Sequence, residues 1–193
     1  MVSCREEEEG PSTFVTIDYD SIWLKSYDSI VYENIPYVDP FYRYYPEENF
    51  VTYSLDIDQD NIKDYTLTVS HYLYTSSPHY NYNATNVRIT TLDTLKFKIA
   101  MQTDRAWAPA KGFKTDEVVD NTSFFQDFSN INANEPFVEG DFIYGNVNIG
   151  FRKGSSSTGF RYGYLNLIVN GANAILVKSV LNTNKDRCVI GEH

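Results

Sequence analysis

Residues 50–70 read FVTYSL-DIDQDNIKD-YTLTVS, two alternating segments joined by nine residues that include four aspartates. Residues 51–55 and 65–70 alternate apolar and polar side chains, which is the two-residue period of a half-buried β-strand. The residues between them include Asp and Asn, which favour turns. The stretch therefore predicts a β-hairpin with an acidic tip, and the other strands are expected to pack around this hairpin.

The acidic tip has the ligand spacing of a calcium loop, with aspartates at its first, third, fifth and ninth positions: Asp56, Asp58, Asp60 and Asp64. Calcium takes six to eight oxygen ligands, so we predict that these carboxylates and the backbone carbonyl of Ile62 bind one Ca²⁺. Asn61 stands at the sixth position, where Gly is usual, and Asn tolerates a positive φ. An EF-hand is excluded because strands flank the loop and Leu67 replaces the twelfth-position Glu. The alternative is a solvated acidic turn.

The composition restricts the class of protein. With 193 residues the chain can form one domain with a substantial core. Its net charge of −10 argues against nucleic acids and anionic membrane surfaces as partners, because both require basic patches. The chain has no apolar run of about 18 residues, the length of a transmembrane helix. Two cysteines do not form a disulfide framework.

Strand-like alternation continues along the chain, at residues 14–19, 86–92, 95–101, 142–153, 160–170 and 174–181, and Asn170-Gly171 is a hairpin signal. The near-repeat at residues 19–22 and 27–30 predicts short strands with bends at Asp-Ser. His71 falls among apolar residues of its strand, which favours a core position over metal binding. Residues 102–140 show no strong period, and one helical turn is expected at residues 122–128. We predict a monomeric, antiparallel, all-β sandwich over residues 13–193, jelly-roll-like in its strand order.

A segment rich in proline and tyrosine, residues 36–49, cannot form a regular helix or a central strand. One interpretation is an aromatic loop that covers an edge of the sandwich. The other is a platform on which sugar rings stack, formed by Tyr37, Tyr42, Tyr44 and Tyr45. A glycan or a protein is therefore the expected class of ligand.

The sequence contains no nucleophile elbow, phosphate-binding glycine loop or zinc signature. We therefore expect a non-catalytic domain, with either a structural or a binding role. The alternative is a carbohydrate-active enzyme, a glycoside hydrolase or lyase, that uses acidic residues of the 102–141 region. Its candidate carboxylates are Glu135, Glu139 and Asp141, since glycoside cleavage requires a pair of acidic side chains.

The first twelve residues form an acidic tail in which Val2-Ser3-Cys4 resembles the end of a bacterial lipobox. The following run, Arg5 to Glu9, resembles the acidic export tag of Bacteroidetes surface lipoproteins. This resemblance implies a lipid anchor on Cys4 and a location at the outer membrane surface. Under this interpretation Cys4 does not form a disulfide with Cys188, which is expected to pack as a small apolar group. The alternative is a solvated acidic tail.

From residue 50 onward, apart from residues 102–140, the chain resembles a largely uncharacterised group of secreted or surface bacterial β-sandwich proteins. The shared pieces are the aspartate loop, Gly150-Phe151-Arg152, Tyr162-Gly163-Tyr164-Leu165 and Val189-Ile190-Gly191. The chain departs from the group's pattern at Asn61, where Gly is usual, and at Tyr164, where Trp is usual. The resemblance implies a β-sandwich, a surface location and bound calcium more than any activity.

Overall fold

The computed structural model describes residues 13–25, 43–44, 50–77, 80–94, 96–104, 108–133, 145–170, 173–184 and 186–191. The regular elements within these ranges are all strands. The described residues include no helix with the length and apolar character needed to cross a membrane.

In chain order the strands are β1 (Phe14–Lys25), β2 (Arg43–Tyr44), β3 (Phe50–Leu55), β4 (Tyr65–Ser77), β5 (Tyr80–Thr91), β6 (Phe97–Met101), β7 (Gly112–Phe113), β8 (Val118–Val119), β9 (Phe124–Gln126), β10 (Phe128–Ala133), β11 (Gly145–Ser155), β12 (Gly159–Asn170), β13 (Asn173–Asn182) and β14 (Cys188–Val189). The larger sheet has the order β1-β13-β12-β11-β6-β9, with β7 also beside β11. The smaller sheet has the order β10-β5-β4-β2, with β3 also beside β4. All pairs are antiparallel, so the predicted all-β antiparallel sandwich is confirmed.

Each sheet is built around a meander of consecutive strands, β3-β4-β5 in the smaller sheet and β11-β12-β13 in the larger one. Asn170 pairs with Asn173, so a two-residue connection joins β12 to β13, as the sequence predicts. The alternating residues Leu165, Leu167 and Val169 are buried, because the two-residue strand period directs them to one face of the sheet.

The main core lies between the two sheets and combines alternating apolar residues from both. Tyr65 of β4 is fully buried, with its ring centroid 5.3 Å from that of Phe97 on β6 and 5.8 Å from that of Phe151 on β11. Edge-to-face and tilted contacts of this kind stabilise aromatic pairs beyond the area they bury. The first residue after the acidic tip therefore fixes the hairpin against the opposite sheet.

A second core covers the outer face of the larger sheet and contains Ala100, Phe113, Val119, Tyr162, Tyr164, Val180, Cys188 and Ile190. Val119 of β8 and Cys188 of β14 belong to a short two-stranded ladder. A Cβ atom on Gly150 of β11 would lie 2.7 Å from the Phe113 ring and 3.0 Å from Val119. The glycine therefore allows these two side chains to pack closely against the β11 backbone. Cys188 is fully buried in this cluster, as predicted.

Two expectations are wrong. Within residues 122–128, β9 occupies Phe124–Gln126 and pairs with β6, so the expected helical turn is absent there. The described parts of residues 102–140 contain β7 to β10 and the connections between them.

The first copy of the near-repeat lies inside the single strand β1, whose register shifts between Asp18 and Ile22. A β-bulge therefore replaces the expected bend, and the second copy lies outside the described residues.

Candidate metal centre

The acidic tip joins β3 to β4, as predicted, and its ends are held together by main-chain pairing. Leu55 lies opposite Tyr65 in the ladder, and the Asp64 amide donates to the Leu55 carbonyl at 2.7 Å. The Asp64 carbonyl in turn accepts from the Leu92 amide at 2.7 Å, which ties the hairpin to the end of β5. Both ends of the loop are therefore fixed by the smaller sheet, while the residues between them turn back.

Two residues in the loop have left-handed backbone conformations, Gln59 with φ 62° and Asn61 with φ 68°. Asn61 takes the positive φ expected at the sixth position, and Gln59 is a second case that the sequence did not indicate. Aspartate side chains stabilise these turns by accepting hydrogen bonds from backbone amides two residues later. The Asp58 carboxylate accepts from the Asp60 amide at 3.3 Å, and the Asp60 carboxylate accepts from the Ile62 amide at 2.8 Å.

Asp56, Asp58 and Asp64 each contribute a carboxylate oxygen to one cluster, in which the three oxygens lie within 4.8 Å of one another. Asp64 is only 3% exposed, and its Oδ2 accepts from the Ile57 amide at 2.7 Å. Ile57 is itself fully buried in the main core, so apolar packing fixes this part of the loop. Asp56 Oδ2 accepts from the Asn61 amide at 2.8 Å, whereas Asp56 Oδ1 is buried without a hydrogen-bond partner.

Burial and the neighbouring negative charges make Asp64 a weaker acid, with a raised pKa. Burial, together with the neighbouring carboxylates of Asp60, Asp56 and Asp93, raises the pKa of its carboxyl to about 6. The hydrogen bond from the Ile57 amide opposes this rise because it stabilises the charged form. The raised pKa means that the ionised carboxylate is poorly stabilised by its surroundings. A cation bound next to Asp64 would stabilise the ionised form and lower this pKa.

Lys153 of β11 reaches the acidic tip from the opposite sheet, and its Nζ forms an ion pair with Asp58 Oδ2. Burial lowers the pKa of Lys153, and the Asp56 carboxylate partly offsets this effect. Lys153 is absent from the predicted ligand set, although the sequence contains a signal for it. Lys153 continues the alternation of Ile149 and Phe151, so a charged residue stands at a position that faces the core.

The geometry fits a calcium ion for part of the predicted ligand set. Oxygens bound to one Ca²⁺ at 2.3–2.6 Å lie at most about 5 Å apart, so the spacing of the Asp56, Asp58 and Asp64 oxygens is suitable. Asp60 is exposed and stands outside this group, with its carboxylate bonded to the Ile62 amide. The Ile62 side chain is 61% exposed. Three protein carboxylates leave positions for carbonyl or water oxygens, because calcium requires at least six ligands.

Among the other predicted site residues, Tyr44 belongs to the described part of the chain. Tyr44 lies in β2, which pairs with β4. Cys4 and the remaining predicted glycan-platform and catalytic residues lie outside the described residues: Tyr37, Tyr42, Tyr45, Glu135, Glu139 and Asp141. His71 lies in β4, where its position in the ladder is opposite Thr85. Among the described residues, Asp56, Asp58 and Asp64 are the predicted site residues that the structure brings together.

Comparisons of the chain with protein-family models, with curated proteins and with solved structures gave no match.

Proposed function

We propose that this chain is a non-catalytic, calcium-stabilised β-sandwich domain of a bacterial surface lipoprotein. Calcium would bind at the tip of the β3–β4 hairpin, with carboxylate oxygens from Asp56, Asp58 and Asp64. Its role would be structural, because each of these three residues accepts a hydrogen bond from a main-chain amide of the loop. The bound ion would keep the hairpin in the conformation that places Ile57 and Tyr65 in the core.

The convergence of three carboxylates at one point is the observation that carries this proposal. Such a group is unstable without positive charge, as the raised pKa of Asp64 indicates. The buried Asp56 Oδ1 also has no hydrogen-bond donor. A hard cation would satisfy this oxygen and neutralise the neighbouring charges. Calcium suits the site because its coordination is flexible and accepts a mixed set of carboxylate, carbonyl and water oxygens.

Thermal unfolding tests the proposal, because an ion that binds only the folded protein raises its melting temperature. Calcium at one hundred times its Kd would add about 2.7 kcal/mol of stability. For a chain of this length we expect this to raise Tm by about 5–10 °C relative to chelator. Equal melting temperatures in millimolar calcium and in chelator would show that the loop is only an acidic turn.

Two variants separate specific binding from a general charge effect. Asp56→Asn retains an acceptor for the Asn61 amide but removes one ligand charge, so most of the calcium-dependent rise in Tm should be lost. Asp116→Asn is the matched control. Asp116 is exposed, lies in another turn and has a φ of 70°, which Asn tolerates. This control should respond to calcium as the unmodified protein does.

The surface location is supported by the lipobox-like Val2-Ser3-Cys4 and the acidic residues that follow it. We expect the protein isolated from its native membranes to contain a diacylglycerol on the Cys4 sulfur. Mass spectrometry of the N-terminal peptide would detect the lipid, with a Cys4→Ser variant as the control. An unlipidated Cys4, or a disulfide between Cys4 and Cys188, would contradict this part of the proposal.

A binding role would extend the structural one, with a glycan or a protein as the ligand. The tyrosine-rich segment supports a glycan ligand, because aromatic rings offer flat apolar faces to sugars. A glycan array probed with the purified protein, in calcium and in chelator, would identify such a ligand. Hydrolysis of any polysaccharide during the same incubation would instead support the enzyme alternative.

A further inference from the structure

The contact between Lys153 and Asp58 links the two sheets of the sandwich. Lys153 belongs to β11 of the larger sheet, and Asp58 lies in the loop of the smaller sheet. The Lys153 side chain is 26% exposed and that of Asp58 is 10% exposed, so the pair is partly shielded from solvent. The Lys153 Nζ also lies 5.1 Å from the centroid of the buried Phe97 ring. A pair held in this way is better ordered than an exposed surface ion pair.

Both carboxylate oxygens of Asp58 are engaged in this arrangement. Oδ2 accepts from the Lys153 ammonium, and Oδ1 accepts from the Asp60 amide at 3.3 Å. An ammonium group donates hydrogen bonds and accepts none, so it cannot serve as a metal ligand. Calcium bound by Asp58 would also lie close to a positive charge and would be repelled by it.

We propose that Lys153 and calcium are alternative partners of Asp58, so that Lys153 sets the calcium concentration at which the loop becomes occupied. In low calcium the ammonium group supplies positive charge to the acidic tip and ties it to β11. When calcium binds, Lys153 leaves Asp58 and the ion takes over neutralisation of the carboxylates. This inference rests on the calcium site proposed above and adds the residue that regulates it.

Isothermal titration of the full chain with calcium chloride, after removal of bound metal with a chelator, tests this inference. Lys153→Met keeps an unbranched apolar stem against Phe97 but removes the charge. Lys153→Arg keeps the charge. Lys98→Met is the matched control, because Lys98 also lies on the larger sheet and forms an ion pair with an aspartate that is not part of the loop, Asp127. The two methionine variants change the net charge equally.

We expect Lys153→Met to bind calcium about tenfold more tightly than the unmodified protein, because a like charge next to the ion is removed. Lys153→Arg and Lys98→Met should bind with the unmodified affinity. Circular dichroism in chelator would check that each variant is folded. If Lys153→Met is unfolded there, recovery of its β-sheet spectrum on addition of calcium would support the inference, because the ion would have replaced the missing ammonium group.

The outcomes distinguish this inference from the proposed function. If the unmodified protein and Lys153→Met bind calcium equally, the calcium site stands and the role of Lys153 is wrong. The same conclusion follows if Lys98→Met tightens binding as much as Lys153→Met does. If only Lys153→Met binds calcium, Lys153 occupies the site permanently and the native protein is not calcium-stabilised. If neither protein binds calcium, both proposals are wrong.

Discussion

Asp64 combines, in one residue, a structural hydrogen bond and an unfavourable charge. Its side chain accepts from the Ile57 amide, yet burial and neighbouring carboxylates raise its pKa from 3.8 to about 6. A raised carboxyl pKa favours the folded state below the unfolded pKa, and this contribution is lost as pH increases through the folded pKa. The ionised form at neutral pH therefore destabilises the calcium-free protein, by about 3 kcal/mol for a rise of this size.

We accordingly expect Asp64→Asn to stabilise the calcium-free protein at pH 7, by as much as ~3 kcal/mol, because Asn can still accept from the Ile57 amide. The advantage should disappear as the pH falls from about 6 to 4. Urea unfolding of Asp64→Asn and of the unmodified protein, in chelator and between pH 4 and pH 7, measures this difference in the free energy of unfolding. In calcium at one hundred times its Kd the difference should shrink by about 2.7 kcal/mol, because the variant lacks a ligand and only the unmodified protein is stabilised by the ion. A variant that is less stable than the unmodified protein in chelator at pH 7 would contradict this interpretation.

Gly163 shows why the Tyr-Gly-Tyr segment of β12 requires a glycine. A Cβ atom at this position would lie 2.2 Å from the Val180 carbonyl oxygen and 2.5 Å from the Phe151 ring. We expect Gly163→Ala to destabilise the protein by about 3 kcal/mol or more, since backbone would have to move. Gly145→Ala is the control: its φ is 79°, but nothing lies within 4 Å of a Cβ atom, so only the strain of about 1–2 kcal/mol should appear. Equal losses in chemical denaturation would contradict the packing argument.

At the level of elements, the long strands were predictable and the short ones were not. In β4, β11 and β12 the two-residue alternation extends over many residues, and apolar members of it such as Leu67, Ile149 and Leu165 are buried. By contrast, β7, β8 and β9 contain only two or three residues each, too few to show a period. Their conformation depends on pairing with residues distant in sequence, such as Ala100 with Phe125, and local sequence does not encode such pairing.

The candidate site was likewise predictable only in part. The spacing of the aspartates identified the loop, because alternate positions of a short turn can direct side chains to one point. It did not distinguish Asp60, which turns outward to cap the Ile62 amide, from the three aspartates that converge. Lys153 arrives from a strand about 90 residues later in the chain, so its contact depends on how the two sheets pack.

The hairpin should become less dynamic when calcium binds at its tip. Local opening of the loop breaks the hydrogen bonds of the Ile57, Asn61 and Asp64 amides without disturbing the rest of the sheet. We expect calcium to slow hydrogen exchange at these three amides far more than at the β12–β13 ladder, which serves as an internal reference. Uniform slowing at all positions would indicate global stabilisation without a specific effect on the loop.

In the molecule as a whole, two apolar cores stabilise the sheets, whereas the conformation of the acidic tip depends on how its negative charges are neutralised. One core joins the sheets, and the other covers the outer face of the larger sheet. The hairpin contributes Ile57 and Tyr65 to the first core, so a disordered tip would weaken contacts between the sheets as well as the loop itself. With a net charge of −10, the protein gains from any cation that neutralises its most crowded carboxylates.

The central claim is that Asp56, Asp58 and Asp64 bind calcium, and a crystal structure determined in saturating calcium would test it most directly. Anomalous scattering data would distinguish a bound calcium ion from a water molecule at the same position. We predict one anomalous peak at the tip of the β3–β4 hairpin, 2.3–2.6 Å from an oxygen of each aspartate, with Lys153 withdrawn from Asp58. A structure in which the tip contains no peak and Lys153 still contacts Asp58 would contradict the account.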